Sequence, residues 1–218
     1  MPGNGALTKS RMRFVLVHGW GFHAGIWDQF VRHLPDAEIA RVDLGFIKGG
    51  PAGVSDWHPD SIAVGHSFGL LWLLKQGQGR FRALVSIQGF DCFSCYIPKS
   101  RVLGMQRTLK RDADATLRGF WKGCGTEPFA SKNALNVEAL NVGLDWLASW
   151  DAREERRALT CPTLALASLD DAIVPPSMSE TVWNGDVIWS DSSGHALPLL
   201  RPDWCASRVT DFAHAIRP

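Results

Sequence analysis

The sequence predicts an α/β fold: a mostly parallel central sheet with helices on both faces and an inserted helical cap. Three observations carry this. Short apolar runs rich in β-branched residues recur at 13–17 (RFVLV), 38–44 (EIARVDL), 62–64 (IAV), 83–87 (ALVSI), 163–167 (TLALA) and 186–189 (DVIW), the pattern of strands buried on both faces. Helical patterns separate several of them, as a parallel sheet with crossover helices requires. Between residues 89 and 150 the strand patterns vanish and leucines and aromatics recur at helical spacing instead.

The 218 residues with 45% hydrophobic content suit one domain with a sizeable core. The expected division is a core of residues 1–90 and 151–218 with a helical cap at about 91–150. A net charge of +1 argues against nucleic acid as a partner of the whole surface. Residues 1–13 lack the apolar run of a signal peptide, and no apolar segment is long enough to cross a bilayer, so a soluble, cytoplasmic protein is expected. The five cysteines, Cys92, Cys95, Cys124, Cys161 and Cys205, have no paired metal-site spacing, and no metal or cofactor is implied. Cys92 and Cys95 spell C-x-x-C after a strand rather than at the start of a helix, so free thiols in a pocket wall are expected.

The first strand ends in His18-Gly19-Trp20-Gly21, followed by Ile26, Trp27, Phe30, Val31 and Leu34 on one helical face, which Pro35 stops. The second strand leads into a glycine- and proline-rich stretch, 45–59, with no room for a normal helix before the third. That third strand runs directly into Gly65-His66-Ser67-Phe68-Gly69 and then a leucine-rich helix. A serine at the apex of such a strand–turn–helix is lifted clear of the sheet, and the flanking glycines remove β-carbons that would collide. A final helix is expected from about residue 203 to 216.

Ser67 can act as a nucleophile only with a base and a group that orients the base. His195 is the best-placed base, in Ser193-Gly194-His195-Ala196 just past the last strand. His66 is held within the elbow, His18 lies in the glycine-rich loop, and the remaining histidines follow no suitable strand end. The acid should follow the strand at 163–167, where Asp170 and Asp171 stand side by side. Neighbouring side chains on a turn diverge, so one of the two serves; Asp171, in D-x-x-V-P, is favoured, with Asp170 as a loop-capping or solvated acid. The N–H groups of Phe68 and Trp20 are the expected oxyanion donors. Serine rather than aspartate at the elbow speaks against dehalogenase or epoxide-hydrolase chemistry, and no phosphate-cradling motif is present. The order Ser, Asp, His is that of an α/β-hydrolase.

Trp20, Phe93, Phe120 and Trp121 are the candidate walls of a substrate pocket. Arg107, Arg111, Arg118 and Lys122, spaced by four, seven and four, would share one narrow face of a continuous helix. A stripe of this kind is most often a solvated face; its functional alternative is a docking surface for an acidic partner that carries the substrate.

Together, HGWG with a following Trp27, the GHSFG elbow, Cys92-Phe93-Ser94, Leu140-Asn141-Val142-Gly143-Leu144, Asp151-Ala152-Arg153, LDDAIVP and GHALP resemble the pimeloyl-[acyl-carrier protein] methyl ester esterases of biotin synthesis. The resemblance runs from about Phe14 to the C-terminus. It implies Ser67, Asp171 and His195 as nucleophile, acid and base, Trp20 and Phe68 as oxyanion donors, and basic cap residues that dock the acyl carrier protein. Two features depart from the pattern: Leu44-Gly45-Phe46-Ile47-Lys48-Gly49-Gly50 replaces P-G-x-G-x-S after the second strand, and His66 stands where a tryptophan often precedes the serine. The function expected is a cofactor-free serine carboxylesterase acting on a carrier-bound pimeloyl methyl ester. A generalist small-acyl esterase or thioesterase is the alternative, and a non-catalytic ligand-binding homologue a third reading.

Overall fold

A computed structural model describes residues 11–77 and 79–216; most of the N-terminal stretch read for a signal peptide lies outside the described residues. Among them, β1 (Arg13–Val17), β2 (Glu38–Val42), β3 (Ile62–His66), β4 (Ala83–Ile87), β5 (Thr163–Ser168) and β6 (Ile188–Ser190) form one sheet in the order β2-β1-β3-β4-β5-β6. All five pairings are parallel. The central strands β3 and β4 are buried along their whole length, whereas the edge strands β2 and β6 each bury a single residue. A central parallel strand is covered on both faces, so the continuous apolar runs belong in the middle.

Four strands differ by a residue or two from their sequence expectation: β3 and β5 run on to His66 and Ser168, while β2 stops early and β6 starts late. β2 stops at Val42 because the Asp43 carboxylate accepts from the N–H groups of Ala24 and Gly45, at 3.0 and 2.8 Å, and turns the chain. β6 begins at Ile188 because Asn184 and Gly185, both at positive φ, hold a turn before it. As expected, no helix intervenes between β2 and β3.

The strand order reverses direction between β1 and β3, the place where parallel sheets open a crevice at their carboxyl edge. Helix α1 (Asp28–Arg32) follows β1, and α2 (Phe68–Gln76) leaves β3 without a linker except Ser67. Between β4 and β5 lie α3 (Lys99–Arg111), α4 (Ala113–Gly123), α5 (Val137–Ser149) and the short α6 (Arg153–Arg157). The indole N–H of Trp20 donates to Leu140 O and that of Trp121 to Gly21 O, both at 2.8 Å, tying this helical segment to the loop after β1. Residues 46–48 pair with 134–136 through Lys48 N–Ala134 O, Asn136 N–Phe46 O and the bridge Ile47–Leu135. The stretch that departs from the family pattern after β2 therefore buttresses α5. Helices α7 (Pro176–Trp183), α8 (Leu197–Leu200) and α9 (Pro202–Ala215) complete the chain.

The single continuous helix on which Arg107, Arg111, Arg118 and Lys122 would share one face does not form. Asp112 adopts an extended conformation (φ −154, ψ 94) and its carboxylate accepts from Ala115 N at 3.0 Å, so it ends α3 and caps α4. A side chain that captures a free helix N–H competes with helix continuation, which is why aspartate prefers this position. The four cations are exposed but divided between two helices, and Arg118 pairs with Asp114 at 2.8 Å. Among the described residues, no helix is long and apolar enough to cross a membrane.

Candidate active site

The loops that follow β1, β3, β4, β5 and β6 converge at the carboxyl edge of the sheet. Ser67 sits at the apex between β3 and α2 with φ 54 and ψ −122, a left-handed backbone unusual for a residue with a β-carbon. The neighbouring glycines explain how the turn closes. A β-carbon on Gly65 would lie 2.6 Å from the backbone of Leu70, and one on Gly69 would lie 2.2 Å from Val17 O. Strand and helix can fold back this sharply, and lie against β1, only where those carbons are absent.

His195 is fully buried, and its Nε2 stands 2.9 Å from Ser67 Oγ. Its Nδ1 lies 2.8 Å from Asp171 Oδ2. A carboxylate only accepts, so Nδ1 carries the hydrogen and Nε2 is left to accept from the Ser67 hydroxyl. Asp171 is buried as well. Its Oδ1 accepts from Ile173 N and Val174 N, each at 2.8 Å, and its Oδ2 accepts from Gln88 Nε2 at 2.9 Å in addition to His195. Four N–H donors thus surround one carboxylate.

Asp170 diverges from its neighbour. It accepts from Ser168 Oγ (2.5 Å), Ser193 N (2.9 Å), Gly194 N (2.9 Å) and Ser192 Oγ (3.0 Å). The Ser168 hydroxyl, followed by these backbone donors, holds its carboxyl well below the usual carboxylate range. Of the two acids, Asp171 faces the imidazole and Asp170 caps the loop that carries it.

His66 is buried behind the turn and its Nε2–H donates to His195 O at 2.9 Å. Burial, reinforced by the neighbouring His195, lowers its pKa to about 3, so it stays neutral. His18 is buried too; its Nε2 accepts from Leu44 N at 2.9 Å and its Nδ1–H faces Gly19 O. Both histidines brace backbone.

For the oxyanion donors, the N–H groups of Trp20 and Phe68 have no hydrogen-bond acceptor among the described residues. The loop after β1 passes close to Ser67: a β-carbon on Gly19 would lie 3.0 Å from Ser67 Cβ. An unpaired N–H at a helix start beside the serine is suited to hold a developing negative oxygen.

A cavity of about 170 Å³ opens over Ser67, walled by Trp20, Phe68, Phe90, Phe93, Phe120, Leu144 and Leu147, with Arg101 and Met105 among its lining. Trp20, Phe93 and Phe120, the candidate walls, thus line this cavity. Trp121 does not: it is fully buried, outside the cavity lining, and its indole is spent on Gly21 O. Consecutive residues on a helix point about 100° apart, so with Phe120 turned to the cavity, Trp121 faces the core.

Cys92 and Cys95 depart from the expected free thiols. They form a disulfide with Cα atoms 5.5 Å apart. The loop after β4 closes on itself here, with Tyr96 N and Ile97 N both donating to Phe93 O, and so brings the two Cα atoms within bridging range. Asp151 lies near the pair, but its oxygens are held by Arg153.

Fold and site together define an esterase of the α/β-hydrolase class, a carboxylic ester hydrolase. Esterases from Thermogutta terrifontis (TM-score 0.72, 15% identity, 95% of this chain and 91% of that one) and Exiguobacterium antarcticum (TM-score 0.77, 17%, 93% and 92%) share the fold. No protein-family model matches the chain. In sequence it is 30% identical over 188 residues to the pimeloyl-[acyl-carrier protein] methyl ester esterase of Legionella pneumophila, covering 75% of this chain and 77% of that one. It is 28% identical to the enzyme of that name from Pectobacterium atrosepticum, over 92% and 94% of the two chains. The chain belongs to the pimeloyl-[acyl-carrier protein] methyl ester esterase family.

One buried polar residue of the site, Gln88, was not foreseen. Its signal was slight: a single amide directly after an apolar strand, at the sheet edge that carries the elbow.

Proposed function

We propose that the protein is a serine carboxylesterase that hydrolyses the methyl ester of pimeloyl-[acyl-carrier protein] through an acyl-enzyme on Ser67. The observation that carries the reading is the unbroken Ser67–His195–Asp171 chain of hydrogen bonds beneath an apolar cavity. Ser67 Oγ attacks the ester carbonyl while His195 Nε2 takes its proton, and Asp171 holds the imidazole in the required tautomer. The N–H groups of Trp20 and Phe68 face the carbonyl oxygen as it gains charge. His195 returns the proton to the leaving oxygen, releasing methanol. Water, deprotonated by the same imidazole, then frees the carboxylate and restores Ser67.

In this reading residues 91–150 act as a cap over a core of residues 1–90 and 151–218, with the acyl chain between them. Arg107, Arg111, Arg118 and Lys122 face outward to meet the acidic carrier, and the location is cytoplasmic. The names of the relatives support the carrier-bound substrate, and the exposure of the four cations suits a surface that speeds encounter.

The test compares hydrolysis of free methyl pimelate and of the carrier-bound ester by wild type and by Ser67→Ala. Wild type should prefer the carrier-bound ester and label with a fluorophosphonate, and Ser67→Ala should lose about 10⁴-fold or more in kcat. Near-normal turnover by Ser67→Ala would sink the acyl-enzyme. Equal kcat/KM for both esters would instead mark a generalist esterase.

A further inference from the structure

We infer that Gln88 is a positioning residue of this site: its carboxamide selects the Asp171 oxygen that faces His195 and ties the His195 loop to β4. The inference rests on the esterase reading above.

Gln88 follows β4 directly and remains in the ladder, its N–H donating to Leu166 O at 2.8 Å. Its φ is 52, in the left-handed region that favours glycine, although the residue is not glycine. It is 1% exposed, and every polar atom of its side chain is occupied. Nε2 donates to Asp171 Oδ2 at 2.9 Å and to Gly194 O, while Oε1 accepts from Leu197 N at 3.1 Å. These three partners lie on the loop after β5, on the residue before His195, and at the start of α8.

The arrangement needs an amide. A carboxylate would face Asp171 with like charge and lose the donors to Asp171 and Gly194. An apolar side chain would leave Gly194 O and Leu197 N without their buried partner. Asp171 Oδ1 is anchored by two backbone N–H groups, but Oδ2 has only His195 and Gln88. With Gln88 in place, Oδ2 is held from a second direction, and the imidazole meets an oxygen that does not swing. The same amide grips the carbonyl next to His195, so acid and base are registered to one rigid strand.

The test uses Gln88→Gly, which removes the amide while suiting the left-handed backbone, and Gln88→Met, which keeps the volume. With p-nitrophenyl butyrate as substrate, kcat should fall on the order of 10- to 100-fold in folded variants. KM should change by less than about twofold, a split that loose packing alone does not produce. In an Asp171→Asn background the further loss from either substitution should shrink to about twofold or less, because both residues act on the same imidazole. Variants with near wild-type kcat, or with an undiminished loss in that background, overturn the assignment. If Gln88→Gly does not fold, Gln88→Met decides by the same criteria; if neither folds, Gln88 is structural and the assignment falls. A wild type that neither turns over the ester nor labels at Ser67 would overturn the esterase reading itself, whereas an active wild type with silent Gln88 variants removes only this inference.

Discussion

A β-carbon on Gly69, at the carboxyl edge of the sheet, would meet the Val17 carbonyl oxygen at 2.2 Å; one on Gly119, within α4, would meet nothing within 4 Å. The two regions are built on different terms. At the edge, backbone packs on backbone, and Ser67, Asp171 and His195 are buried with partners for their side chains. In the segment between β4 and β5, apolar side chains wall a cavity on one side and cations are exposed to solvent on the other. Chemistry demands positions fixed to a fraction of an ångström and obtains them from main-chain constraint. Selectivity for a flexible acyl chain needs shape and field, which side-chain packing supplies with more tolerance.

The sharpest test of that contrast lies within the edge itself. Asp171→Asn should lower kcat by about 10⁴-fold, since an amide donates where the imidazole N–H needs an acceptor. Asp170→Asn, one residue away, should cost less than about tenfold, as it loosens the loop without touching the imidazole. Comparable losses at the two positions would erase the division of roles.

Next come the glycines, where one substitution should have opposite signs in the two regions. Gly69→Ala should destabilise by about 3 kcal/mol or more, because main chain has nowhere to move. Gly119→Ala should stabilise by about 0.5–1 kcal/mol through helix propensity. Urea midpoints measure both, and a destabilised Gly119→Ala would mean that the segment is packed as tightly as the edge.

The edge should also be acid-sensitive in a way the helical segment is not. Unfolded His66 binds a proton below its ordinary value of 6.5, while the buried side chain resists it until about pH 3. Stability from this residue is therefore complete above 6.5 and falls as pH drops through that window, by at most about 1.4 kcal/mol per pH unit. Urea midpoints at pH 7 and pH 5 should differ more in wild type than in His66→Gln; an unchanged difference would assign the acid sensitivity elsewhere.

The smallest effect belongs to the outer face of the segment. Reversing charge at Arg107 and Arg111 should lower kcat/KM for the carrier-bound ester by about three- to tenfold at low salt, with little change for free methyl pimelate. Loss on both substrates would place these residues in the acyl pocket rather than at a docking face.

The GHSFG turn with its strand and helix, and the position of His195 after the last strand, were legible because each is written in adjacent residues; the mostly parallel sheet was legible from the alternation of apolar runs and helical patterns. Glycines where a β-carbon cannot fit, and apolar runs where both faces are covered, are local demands that leave local marks. Trp121 misled because the sequence does not say which side of α4 turns to the cavity. The four cations fall on two helices rather than one because Asp112 serves a helix end better than a helix interior. Cys92 and Cys95 were within bridging reach only once the loop after β4 had closed. The arrangement D-x-x-V-P already favoured Asp171 over Asp170, whereas enlisting Gln88 fell to tertiary structure alone. Its part depends on the direction of hydrogen bonds to residues 83 and 106 positions away, and such directions exist only when the strands stand side by side.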